Sequence, residues 1–98
     1  MLLYFFRMQH SFKKIKEELS EINPDAYLFD GLENGLIGIA QQYPNKPVAC
    51  YDYDKCIEIL VEDNQISTEE ATEFFEYNTV CVALGPNTPV ILRQSFSA

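Results

Sequence analysis

Apolar residues recur at helical spacing in two separated stretches of this chain, with short apolar runs bounded by turn residues between and after them. That switch of period, from 3.6 to 2 and back, restricts the chain to helices packed with a small sheet. Phe12, Ile15, Leu19 and Ile22 form the first stripe. They predict a helix over Ser11–Ile22, with Ser11 as N-cap and Asn23-Pro24 as its stop. Ala26–Phe29, Leu36–Gln42 and Val48–Tyr51 read as short strands, separated by Asp30-Gly31-Leu32-Glu33-Asn34-Gly35 and Tyr43-Pro44-Asn45-Lys46-Pro47. Both connections have the composition of tight turns.

Helical spacing returns at Cys56, Ile57, Leu60 and Val61, with Asp54 placed to cap that helix and Asp63-Asn64-Gln65 to break it. Ser67-Thr68-Glu69-Glu70 fits a capping box, in which the Ser hydroxyl meets the N3 amide and Glu70 reaches back. The third helix then turns Ala71, Phe74, Phe75 and Asn78 inward. Val80–Leu84 and Pro89–Leu92 flank Gly85-Pro86-Asn87-Thr88 as a closing hairpin. The predicted fold is α+β, in the order α-β-β-β-α-α-β-β. It has a small antiparallel or mixed sheet and three helices packed mainly on one face.

With 98 residues the chain makes one domain, and 47% hydrophobic residues with seven Phe and six Tyr give it a core without staples. Cys50, Cys56 and Cys81 are an odd number with no C-x-x-C pair, which predicts buried free thiols in a reducing compartment. Met1–Phe6 is apolar but lacks the basic flank and cleavage site of a secretory signal, and is far shorter than a membrane span. Residues 1–7 are therefore expected to be an N-terminal extension, with Met8 a second start, or an extra edge strand. As a strand they would join the sheet or pair with a second copy in a homodimer.

Charge excludes more than any motif does. All fifteen acids lie in residues 17–76 against Lys46 and Lys55, while Arg7, Lys13, Lys14 and Lys16 precede them, and the net charge is −8. Such a surface repels nucleic acid and anionic membranes and attracts basic partners. A helix-turn-helix reader is disfavoured, because Glu69, Glu70, Glu73 and Glu76 would face phosphate. An EF-hand with Glu70 in its twelfth position puts Ile59 and Val61 at the first and third, where no oxygen is supplied, so it is excluded. Gly31, Gly35 and Gly38 match no phosphate-binding pattern. With His10 as the one histidine, nucleophilic pairing would need it to reach Cys50, Cys56 or Cys81.

Two candidate surfaces remain. Asp54, Glu58 and Glu62 stand four apart on the second helix, and Glu69, Glu73 and Glu76 make a similar stripe on the third. Together they predict an acidic docking face for a basic protein, beside the plain alternative of a solubilising surface. The competing expectation is a small ligand- or metal-binding domain, or an enzyme, using Asp52 and Asp54, with Asp30 as a further carboxylate. No cofactor and no catalytic residue is assigned.

Asp30-Gly31-Leu32-Glu33, Tyr51-Asp52 with Lys55-Cys56-Ile57-Glu58-Ile59-Leu60, Glu69-Glu70-Ala71 with Phe74-Phe75-Glu76-Tyr77-Asn78, and Gly85-Pro86-Asn87-Thr88-Pro89-Val90 form an ordered set of blocks. They resemble a family of small uncharacterised proteins encoded by tailed bacteriophages, over about two-thirds of the chain from Asp30 to Leu92. The resemblance implies a viral accessory protein of the bacterial host cytoplasm. It brings no activity and no catalytic residue. By analogy with other small acidic phage proteins, it implies binding and inhibition of a host enzyme or a nucleic-acid-directed defence system. The basic first helix argues against full DNA mimicry.

Overall fold

A computed structural model describes residues 2–80 and 85–94, with side chains over residues 12–78 and 85–94. Helix α1 runs Leu2–Ile22, strand β1 Leu36–Ala40 and strand β2 Val48–Asp52. Helices α2 (Tyr53–Asn64) and α3 (Thr68–Phe75) follow, and strand β3 is Val90–Leu92. The class is α+β, with three helices and a three-stranded mixed sheet ordered β1-β2-β3.

The central strand explains the architecture. Val48, Ala49, Tyr51 and Asp52 are all buried, as expected of a strand covered on both faces. β1 pairs with it antiparallel, and the register slips between Leu36 and Gly38 because Ile37 is an extra residue. β3 pairs with it in parallel, Cys50 opposite Val90 and Asp52 opposite Leu92. A parallel neighbour requires a long crossover, and α2 and α3 supply it. β3 is the second arm of the expected closing hairpin, whose first arm, Val80–Leu84, falls almost wholly outside the described residues. Val80 ends a π-helical turn over Glu76–Val80, and residues 81–84, Cys81 among them, lie outside the described residues.

Other boundaries also moved. α1 begins at Leu2, so Ser11 is inside a helix instead of capping one, and residues 2–6 are helical instead of an edge strand. Met1 lies outside the described residues. Ala26–Phe29 is irregular chain, its Phe29 N–H donating to the Tyr51 hydroxyl oxygen at 2.9 Å instead of to a strand partner. The cap of α2 is Asp52, whose Oδ2 accepts from the Lys55 N–H at 2.9 Å, and Asp54 sits two residues later in the first turn. At α3 the structure has the expected cap. Ser67 Oγ accepts from the Glu70 N–H at 3.1 Å and the Glu70 carboxylate reaches back to the Ser67 N–H.

The core gathers Leu19, Leu32, Leu36, Ala49, Tyr51, Cys56, Ile57, Ala71 and Phe75. Phe29 stacks obliquely on Tyr51 and Tyr53 meets Phe75 edge-on, with ring centroids 4.9 and 5.5 Å apart. These geometries add to plain burial. Asn23, expected only to stop α1, is buried at 1% exposure and ties three segments together. Its amide nitrogen donates to the Pro47 carbonyl at 2.7 Å and to Asn87 Oδ1 at 3.1 Å, and its own Oδ1 accepts from the Asp25 N–H at 3.2 Å.

One close approach carries a prediction. A Cβ at Gly35 would stand 2.7 Å from the Cys56 Sγ, in the fully buried interior. Replacing Gly35 by Ala is therefore expected to cost ~1–3 kcal/mol through overpacking. Combining it with Cys56→Ala removes the obstructing sulfur and should recover most of that loss. Urea melts of the two singles and the double give the coupling directly, and additive costs would show that the contact is not the cause.

Candidate functional site

The acidic stripes arise from helical spacing acting on two amphipathic helices. On α2, burial of Cys56 and Ile57 toward the core leaves Asp54, Glu58 and Glu62 outside, all three exposed. They line an open depression of about 440 Å³ with Ile57, Val61 and Thr68. On α3, Ala71 and Phe75 are both fully buried, so positions one residue earlier or two later project outward. A second depression, about 630 Å³, follows this outer side and is lined by Glu70, Glu73, Phe74, Glu76, Tyr77 and Asn78. Of the six expected partner-binding residues, Asp54, Glu58 and Glu62 share one depression, Glu73 and Glu76 share the other, and Glu69 lines neither.

Phe74 and Asn78 correct the expected inner face of α3. Phe74 is 52% exposed and Asn78 is exposed, its amide donating to the Phe74 carbonyl at 3.1 Å. The reason is angular. Core contact at positions 71 and 75 turns position 74 about 100° away. Tyr77 is 80% exposed beside it. Helical spacing alone predicts Phe74 in the core and gives Tyr77 no role. The signal was present, since Glu70, Glu73, Phe74 and Tyr77 fall at i, i+3, i+4 and i+7, one continuous outward stripe.

Among the described residues, the one ion pair at these acids joins Glu76 Oε1 to Arg93 Nη2 at 3.3 Å. The same guanidinium lies over the Tyr53 ring, 4.0 Å from its centroid. Burial raises the Tyr53 phenol above its ordinary value, and the neighbouring Glu76 carboxylate adds to this.

The Asp52 and Asp54 pair is separated by its structural duties. Asp52 is 5% exposed, with Oδ2 engaged by the Lys55 N–H and Oδ1 by the Gln94 amide at 3.1 Å. Asp54 and Asp30 are exposed, and Asp54 lines the α2 depression without Asp52 or Asp30. Among the described residues no group of three or more His, Cys, Asp or Glu side chains is arranged to hold a metal ion. The His10 side chain lies outside those described.

Of the two thiols among the described residues, Cys56 is a core group as expected and Cys50 is not. Cys56 is fully buried, and burial followed by the Asp52 charge pushes its thiol up to about 12. Cys50 is half-buried and is also raised, first by burial and then by Asp52. A raised thiol is a poor nucleophile at neutral pH. Among the described residues no helix is long and apolar enough to cross a membrane. Comparisons of the chain with protein-family models, with curated proteins and with solved structures return no match.

Proposed function

We propose that this chain is a non-catalytic protein-binding module whose acidic α2 and α3 surfaces capture a positively charged host or phage protein. The observation that carries this reading is the contrast between two groups of carboxylates. Asp52, the one buried acid, has both oxygens engaged within the fold. Asp54, Glu58, Glu62, Glu69 and Glu73 are exposed, and among the described residues none has an ion-pair partner. An uncompensated field of this kind steers an oppositely charged partner and raises its association rate. The family resemblance supplies the setting: the bacterial cytoplasm, with a host enzyme or nucleic-acid-directed defence system as the target inhibited.

The test begins with capture from infected host lysate and identification of the bound protein by mass spectrometry. The decisive step uses that purified partner against a variant carrying Glu58, Glu62, Glu69 and Glu73 all changed to Lys. The association rate should fall by at least about tenfold at low ionic strength, and its dependence on salt should flatten. Circular dichroism should stay native, because each site is exposed. An unchanged affinity rejects the acidic-surface reading.

A further inference from the structure

We propose that the groove along the outer side of α3 is a recognition site for an arginine side chain presented by the partner. This rests on the acidic-surface reading above and narrows it to one groove and one residue type. Glu70, Glu73 and Glu76 line the groove together with the rings of Phe74 and Tyr77, which are 52% and 80% exposed. Carboxylates alone would suit any cation. Two exposed rings set among them favour a cation that is flat, weakly hydrated and able to offer several N–H donors. Guanidinium has all three properties. The lysine ammonium is compact and strongly hydrated, and it neither stacks nor pairs through two parallel hydrogen bonds.

The fold already uses this arrangement at the edge of the groove. Arg93 lies over the Tyr53 ring at 4.0 Å while its Nη2 reaches Glu76 Oε1 at 3.3 Å. That contact shows a guanidinium held between a tyrosine face and a glutamate of the same lining. It also leaves a charge imbalance. Arg93 pairs with Glu76 alone, Glu70 turns one carboxylate oxygen to Ser67 in the capping box, and Glu73 has no ion-pair partner among the described residues. The complement of the groove is therefore a further positive charge carried on a planar group.

The probes are three glycine-flanked peptides carrying two arginines, two lysines or two citrullines, titrated into the isotopically labelled full chain. The arginine peptide should shift the Phe74 and Tyr77 ring resonances saturably. Its lysine twin should bind at least about fivefold more weakly, and the uncharged citrulline twin should cause no saturable shift. Tyr77→Ala should weaken the arginine peptide by about fivefold or more, whereas Tyr77→Phe should retain binding because the ring face remains. Equal affinity for the arginine and lysine peptides would overturn the proposal while leaving the acidic-surface reading intact. Shifts confined to Asp54, Glu58 and Glu62 would do the same. Absence of saturable shifts with any peptide overturns it as well, and the partner test above then decides the broader reading separately.

Discussion

Replacing Asn23 by Asp is expected to destabilise the fold by about 3–5 kcal/mol at neutral pH, although the two side chains have nearly the same shape. Asn23 is buried, and its amide NH2 supplies the donor that the Pro47 carbonyl and Asn87 Oδ1 accept. A carboxylate in that place offers no donor. The Asn87 amide can rotate to present its own NH2, but the Pro47 carbonyl, 2.7 Å away, has only lone pairs to show a negative oxygen. The Asp25 N–H would still be accepted, so part of the site survives. Burial and the facing carbonyl should raise the pKa of the new carboxyl above its unfolded value near 4. The sign follows. Stability is retained below the unfolded pKa, where both states are protonated, and is lost as pH rises through the folded one. Urea melts should therefore show the deficit shrinking from pH 7 to pH 4. A variant within 1 kcal/mol of the parent at pH 7 would show that Asn23 does not join these segments energetically.

The importance of Asn23 was not legible in the chain, and the reason is physical. An Asn before Pro reads as a helix stop, which it is, but its partners lie 24 and 64 residues away. Local chemistry was legible wherever it is self-contained. The Ser67–Glu70 box closes within four residues, and the turn-bounded runs at Leu36 and Val48 do become strands. The cap of α2 went to Asp52 because the helix begins at Tyr53, and Gln94 takes the second carboxylate oxygen of Asp52. Asp54 carried the same local signal, and what sets Asp52 apart is a second partner 42 residues distant. The parallel partner of β2 is a non-local pairing for the same reason, since nothing at Val90–Leu92 specifies which strand it joins. On the candidate site, the acidic stripes follow directly from spacing. The aromatic half of the α3 groove did not, because an apolar residue at a helical position is ordinarily read as core until the phase of the helix is fixed. Here Ala71 and Phe75 fix it, and Phe74 faces out.

The second large effect is expected in alkali. Cys56 and Tyr51 are both fully buried, and burial pushes each to about 12 from ordinary values of 9.0 and 10.0. The Asp52 carboxylate adds to the Cys56 shift, while the Phe29 N–H donating to the Tyr51 oxygen opposes the shift there. Both groups are neutral when protonated, so the folded state holds its protons after the unfolded chain has released them. The stability they contribute is whole below about pH 9 and falls as pH climbs toward 12. At ~1.4 kcal/mol for each tenfold in proton affinity, the two together can remove several kcal/mol. That is a large share of the ~5–15 kcal/mol that holds a domain of this size. The steepest loss of stability is therefore expected between about pH 10 and 12. Urea melts taken at steps from pH 8 upward should show stability falling by up to ~1.4 kcal/mol per pH unit for each proton withheld. Cys56→Ala should lower stability at pH 8 through lost packing, yet decline less steeply above pH 9, because no thiolate is then gained on unfolding. The slope distinguishes the titration from the packing. Equal slopes in parent and variant, or rapid labelling of Cys56 by a thiol reagent in the native protein at pH 8, would remove the buried thiol from the account.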